Sequence, residues 1–424
     1  MRSLTNHSPT ILTIVLATST SMLAAPSYGQ TQSSSHPTPT NDSLAPPENP
    51  IPRENASHLL QVPSTESDRG TFPLAQYSQE SDNGGGFSIF GFPSNSSTKG
   101  WFGQINASLG NLEASFEGGE QTFGYELAYD KDATMDDTGY RVSFFNSRSP
   151  EGVFIHGGQD VELVHDHTPW VHRLGGEVEV SQKVHPDVTI SAGVGYQRVS
   201  VRNRAFTDEV QERDEFGNRL TFGENGQDDL LTLNLGLVGE SLNKPVFPTS
   251  GSKLKVGVEQ SIPIGFGDIA FNRITTGYSQ YVPMAEEQTL LLNLQGGHVI
   301  GDLPPYEGFS LGGSNSVRGY SAGELGTGRT FLQATAEYRF PLFGEVDFPL
   351  LREINGATFV DFGTDFDTAE TVKGEPADER DKAGTGFGVG VGLRVDSEFG
   401  PVMVDLGFAD QGDVSLHFSF GERF

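Results

Sequence analysis

The residues best placed to do chemistry are one arginine and two carboxylates, and that chemistry is ion pairing rather than bond making. Arg318 stands in the run Leu311-Gly312-Gly313-Ser314-Asn315-Ser316-Val317-Arg318-Gly319-Tyr320, inside the 28-residue connection 301–328. A connection of that length is more than a plain turn. One guanidinium among small residues can thread a narrow space, and its planar fork can bond two carboxylates at once. Downstream, alternation in 329–341 sets Leu332, Ala334, Ala336, Tyr338 and Phe340 against Gln333, Thr335, Glu337 and Arg339. In 356–365, Val360 and Phe362 oppose Phe359, Asp361 and Gly363. Antiparallel neighbours would hold Glu337 and Asp361 at similar height, where like charges repel unless a cation sits between them. That cation is Arg318 if the connection folds inward. It is Arg339, on the same strand face, if the connection stays outside as a surface excursion.

Other candidates weigh less. Gly308-Phe309-Ser310-Leu311-Gly312 fits a nucleophile pattern, but that chemistry needs a strand–turn–helix elbow and no helical period follows. His165-Asp166-His167 and His172 are spaced as metal ligands on a strand could be, and as solvated polar residues near a surface loop commonly are. Asp365, Asp367, Glu370, Glu375, Asp378, Glu379 and Asp381 form an acidic run whose irregular spacing suits solvation better than calcium. The chain has no cysteine, which removes disulfides, thiolate metal sites and cysteine nucleophiles. No metal and no cofactor is implied, and no enzymatic activity is expected.

The elements that must position these residues are strands. Only 35% of residues are hydrophobic, yet Gly reaches 53 of 424 and Phe 30, and from Lys99 onward apolar residues alternate instead of following a helical period. Leu231, Leu233, Leu235 and Leu237 share one face, as do Val389, Val391, Leu393 and Val395, the latter opposite Gly388, Gly390, Gly392 and Arg394. The glycines there could let a loop approach closely, or could serve wall curvature. Sixteen strands can be placed, from 101–109 through 153–165 to 413–424, with the least secure boundaries at the start. An even count puts both termini on one side and gives that side the short turns, such as Gly118–Glu120, His185-Pro186 and Ser397–Gly400. The long connections 203–228, 301–328 and 366–383 then share the other side. A soluble β-sandwich seldom needs so many strands. The expected fold is all-β: a sixteen-stranded antiparallel transmembrane barrel with a long lumenal loop, preceded by a disordered N-terminal segment.

The N-terminus reads as a secretory signal, residues 1–29, from the apolar stretch Thr10–Ala25 and the small residues after it. Residues 30–97 are rich in Pro, Ser, Thr and Asn, and read as a disordered periplasmic linker, with the barrel over 98–424. Three basic and seven acidic side chains precede residue 98, so −25 of the formal −29 belongs to the barrel region. That charge argues against nucleic acid as a partner.

The motifs carry a resemblance. The Gly-Gly-x-x-x-Val-Arg-Gly-Tyr run, with Gly312, Gly313, Val317, Arg318, Gly319 and Tyr320, resembles the hallmark loop of the BamA/TamA and two-partner-secretion superfamily, the bacterial surface antigen family. Ala336-Glu337-Tyr338 and Phe359-Val360-Asp361-Phe362-Gly363 resemble the wall segments that follow it. Asn243–Gly251 resembles a periplasmic turn, and Phe418-x-Phe420-Gly421-x-x-Phe424 a C-terminal β-signal. The resemblance covers roughly 100–424 and is cyanobacterial in style. It implies a sixteen-stranded outer-membrane barrel whose loop arginine enters the lumen to pair with Glu337 and Asp361. Family members usually carry POTRA domains that receive client chains, where this chain has its linker. The function implied is insertion or translocation of polypeptide or lipid through a seam between the first strand, near Trp101–Leu109, and the last, Val414–Phe424. The partners implied are outer-membrane lipids, client proteins and a separate periplasmic accessory protein. The alternative is a passive pore with 301–328 as its constriction and an acidic rim favouring cations.

Overall fold

The computed structural model describes residues 87–154, 162–163, 168–285, 287–343, 351–377, 380–397 and 400–424. The signal-peptide reading, the linker up to residue 86, His165–His167 and the pair Asp378 and Glu379 lie outside the described residues.

Sixteen strands form one antiparallel sheet in chain order. They are β1 (Phe87–Ser96), β2 (Gly100–Leu109), β3 (Leu112–Gly119), β4 (Phe123–Lys131), β5 (Gly139–Ser149), β6 (Trp170–His185), β7 (Val188–Arg202) and β8 (Gln227–Leu242). Then follow β9 (Gly251–Ile262), β10 (Phe271–Pro283), β11 (Thr289–Gly301), β14 (Thr330–Phe343), β15 (Leu351–Thr364), β16 (Thr385–Ser397), β17 (Gly400–Ala409) and β18 (Val414–Phe420). The short β12 (Phe309–Leu311) and β13 (Gly326–Gly328) pair only with each other. Neighbours in the large sheet are laddered throughout, but among the described residues no ladder joins β1 to β18, although the two lie side by side.

Period two decides the faces. Phe331, Gln333, Thr335, Glu337 and Arg339 of β14 are buried, while Ala336 between them is exposed. Trp101, Leu127, Phe144, Val178, Leu235, Leu294 and Val391 are all exposed on the opposite side of the sheet. An apolar outer face and a polar inner face invert the soluble pattern, as a wall in lipid requires. The main apolar core lies within the curve of the sheet, where Phe309, Leu311, Val317, Tyr320 and Leu325 pack with Val199, Leu230, Phe271, Val299 and Phe331.

The count of sixteen stands, but two of its members change. Phe87–Ser96 is a strand inside the stretch read as linker, so the barrel begins before residue 98. Phe87 and Ile89 do alternate outward, and the neighbouring Gly, Pro, Ser and Asn residues hid that signal. Conversely, 153–165 is no strand where it is described. Phe154 N–H closes a turn on the Glu151 carbonyl, and Val153 and Phe154 are buried in the core instead of facing outward. The two changes cancel from β6 onward. Before it they flip the sides, so Gly118–Glu120 falls at the end that carries the long loops and Gly110-Asn111 at the other. The final strand also stops early, at Phe420, because Gly421 takes a φ of 89° and turns the last residues aside.

Candidate functional site

The connection between β11 and β14 is pinned to the buried face of the sheet at two places with opposite charges. At the first, Arg318 is 0% exposed. Its Nε and Nη2 donate to the two oxygens of Asp361 at 2.7 and 3.0 Å, and its backbone N–H reaches Asp361 Oδ2 at 3.1 Å. Nη1 donates to Glu337 Oε2 at 2.8 Å and to Asp405 Oδ2 at 3.2 Å. The guanidinium carbon lies 3.3 Å from the centre of the Phe359 ring, a cation held over an aromatic face. Glu337 and Asp361 are diagonal neighbours. Thr335 stands directly opposite Asp361 in the ladder and donates its hydroxyl to it at 2.8 Å.

The connection folds inward and Arg318 takes the place between the two carboxylates, but it does not act alone. Arg339 Nε donates to Glu337 Oε1 at 2.9 Å, and Arg394 binds the same carboxylate through Nε at 3.0 Å and Nη2 at 2.6 Å. Arg394 Nη1 also donates to Asp405 at 2.8 Å. Arg423 reaches Asp361 at 3.3 Å, and Arg339 reaches Glu422 at 3.5 Å. Four arginines thus face four carboxylates: Arg318, Arg339, Arg394 and Arg423 against Glu337, Asp361, Asp405 and Glu422. A buried cluster of this kind is tolerable only when charges and hydrogen bonds are both matched.

Backbone geometry explains how this segment fits. Gly312, Gly313 and Gly319 have φ of 113°, 93° and 110°, values that a side chain would strain. Gly313 N–H donates to the Tyr320 carbonyl at 3.1 Å and closes the run into a tight loop. On the wall, a β-carbon at Gly388 of β16 would collide with the Arg318 carbonyl oxygen, and one at Gly407 of β17 with Gly319 N. Close approach is therefore the reason for at least these two wall glycines. Tyr320 donates its hydroxyl to Asp410, and burial together with that carboxylate raises the hydroxyl above its ordinary pKa.

The second anchor was not expected from the sequence. Glu307, 2% exposed, accepts from Arg173 of β6 at 2.9 Å and from Arg273 of β10 at 2.7 Å. Arg273 also donates to the Glu307 carbonyl at 2.8 Å, and Arg173 to the Tyr306 carbonyl at 3.0 Å. Each arginine keeps a further carboxylate, Glu151 at 2.8 Å for Arg173 and Glu259 at 2.6 Å for Arg273. Tyr306 donates to Asp228 of β8 at 2.6 Å. Nothing in the local spacing of Pro304-Pro305-Tyr306-Glu307 announces this role. Arg394 and Asp405, by contrast, stand opposite the apolar rows Val389, Val391, Leu393, Val395 and Val402, Val404, Leu406, Phe408, a local signal that places them on the inner face.

The remaining sequence candidates separate. Ser310 sits on β12, paired with β13, and not on a strand-to-helix elbow. His172 shares a hydrogen bond with the Arg204 carbonyl at 3.0 Å. Asn243 caps its own turn, accepting from Thr249 and Ser250 N–H at 3.0 Å each. Phe418 is exposed on β18, whereas Phe424 is 7% exposed and packs with Tyr281 and Leu291.

Comparison with known proteins agrees with this architecture. Outer envelope protein 80 of Arabidopsis thaliana is 30% identical over 376 residues, 85% of this chain and 48% of that protein. TOC75 of Pisum sativum is 28% identical, over 67% of this chain and 35% of its own length. The chain thus spans about half the length, or less, of these curated relatives. Among solved structures, BamA from Haemophilus ducreyi lacking POTRA domains 1–3 matches with a TM-score of 0.60 and 18% identity, covering 79% of this chain and 69% of that one. CdiB from Escherichia coli matches at 0.53 and 14%, over 78% and 61%. At those identities the two structures speak to the fold. The Omp85 superfamily domain matches residues 95–424, nearly the whole described barrel, and the chain belongs to that superfamily of outer-membrane β-barrel proteins.

Proposed function

We propose that this barrel inserts or translocates polypeptide, or lipid, through the seam between β1 and β18. The observation that carries the reading is the missing ladder. Among the described residues, fifteen strand-to-strand boundaries in the large sheet are hydrogen-bonded and one is not. A boundary without backbone hydrogen bonds separates at low cost and presents two strand edges, and an extended client can add to such an edge. The first strand of this seam is Phe87–Ser96 rather than 101–109. In this proposal the Arg318 cluster braces the wall of β14–β17 while the seam moves, Phe418, Phe420, Gly421 and Phe424 serve as the assembly signal, and no bond-making step is involved.

The alternative, a passive pore, needs a continuous open lumen. The segment from Tyr306 to Tyr320 bonds to buried residues of β6, β8 and β10 on one side and, on the other, to buried residues of β14, β15 and β17 and the half-buried His417 of β18, which favours a closed resting state. Single-channel recording in planar bilayers separates the two. Large, stable, voltage-insensitive conductance would sink the closed-barrel reading. Depletion in the native cell followed by outer-membrane proteomics tests transport itself, with selective loss of particular barrels or lipids as the expected result. An unchanged outer membrane would count against it.

A further inference from the structure

We propose that the loop tip around Arg318, with the last four residues of the chain, is an inner staple that holds the β1–β18 seam shut. The position of the loop and the width of the seam are then one equilibrium.

Both margins of the seam are reached from a single stretch of four residues, Gly319–Ala322. On the β18 side, Gly319 N–H donates to His417 Nε2 at 3.3 Å, and Tyr320 donates to Asp410 in the β17–β18 turn. On the β1 side, Ala322 N–H donates to Ser97 Oγ at 2.9 Å, in the turn between β1 and β2. Among the described residues no ladder competes for this work. Three short contacts from one buried loop thus span the boundary that the sheet leaves open.

The C-terminal residues hold β18 from the same interior. After the turn at Gly421, Glu422 accepts from Phe247 N–H and Arg339, Arg423 donates to the Ser316 carbonyl and to Asp361, and Phe424 enters the apolar contact with Tyr281 and Leu291. This tail brings one cation and one anion to the cluster, so its withdrawal leaves three arginines facing three carboxylates, still balanced. Arg423 Nε is buried without a hydrogen-bond partner among the described residues, so the seated tail carries a penalty that offsets part of its bonding and keeps it releasable. Because binding free energies are reciprocal, whatever widens the seam must weaken loop docking by the same factor, and the reverse.

The cysteine-free chain allows a direct test on the full-length barrel in lipid. Spin labels on Ile89→Cys and Leu416→Cys, both exposed on the outer face, report the seam. Labels on Leu235→Cys and Ile274→Cys report a stretch of wall where every boundary is laddered. Arg423→Ala, and separately Ser97→Ala with His417→Ala, should raise the widely separated fraction at the seam roughly five- to tenfold, the shift expected from losing part-buried hydrogen bonds to a two-state element. The control pair should not change. Ser97→Ala alone removes only a turn hydroxyl, and should give the same shift in smaller measure if the larger changes prevent folding. Unchanged seam distances in folded barrels would overturn the proposal, as would equal broadening in the control pair. No client is present in this measurement, so failure of the transport reading would not be confused with failure of the staple.

Discussion

The two anchors of the loop use the same interaction with the signs exchanged. At Arg318 the loop carries the cation and the wall the carboxylates, and at Glu307 the loop carries the anion and the wall the arginines. They differ in what remains when the loop residue is taken away. Without Arg318, three arginines are left facing four buried carboxylates. Without Glu307, Arg173 and Arg273 still hold Glu151 and Glu259. The first anchor completes its wall, while the second is added to a wall already paired. Loop position should therefore depend more on Arg318 than on Glu307, although both are equally buried.

The largest expected effect tests this asymmetry. Arg318→Ala should weaken docking of 302–329 by about 3–5 kcal/mol, the cost of leaving a buried charge unmatched. The segment should become open to protease while the barrel still migrates as a folded, heat-modifiable band. Unchanged protease access would break the comparison. Glu307→Gln should cost about 1.5–3 kcal/mol, the value of charge-assisted hydrogen bonds whose donors keep other partners. Equal cleavage rates for the two variants would show that the anchors are equivalent. Combining them should give more cleavage than their sum if each anchor alone retains the loop, and a double-mutant cycle reads that coupling.

Smaller effects sharpen the picture. Gly388→Ala places a β-carbon against the Arg318 carbonyl oxygen, and overpacking of this kind costs about 1–3 kcal/mol. Cleavage of the loop should rise, and the same change at Gly103, where no such collision exists, should leave it alone. The least is expected at Arg198, whose side chain is 46% exposed in its pair with Asp229. Arg198→Ala should cost less than about 1 kcal/mol and lose even that in high salt. A larger drop in thermal midpoint would mean that exposure is a poor guide to these pairs.

Legibility in the sequence followed the length scale of the signal. Strand faces were legible because period two is local: Glu337 and Arg339 inward, Leu332 and Ala336 outward, needed only their neighbours. The meeting of Arg318 with Asp361 across 43 residues was legible because charge placement on two adjoining strands asked for a cation. It could not be told from Arg339 alone, since one carboxylate can satisfy several guanidiniums. The first strand escaped because its outward residues, Phe87 and Ile89, sit among turn-forming neighbours. The segment 153–165 misled because apolar residues bound for an interior core look like those bound for lipid.

The sequence by itself determined the class of object: an antiparallel wall, apolar on one face and charged on the other, with an arginine loop too long for a turn. Alternation and charge are properties of residues and their immediate spacing, so they survive without coordinates. Only the tertiary structure decided how the wall closes. The unladdered seam, the Glu307 anchor, the inward turn of the last four residues and the reach of one loop to both seam margins all join residues from distant strands. Such contacts depend on curvature and register summed over sixteen strands, and no local pattern records that sum.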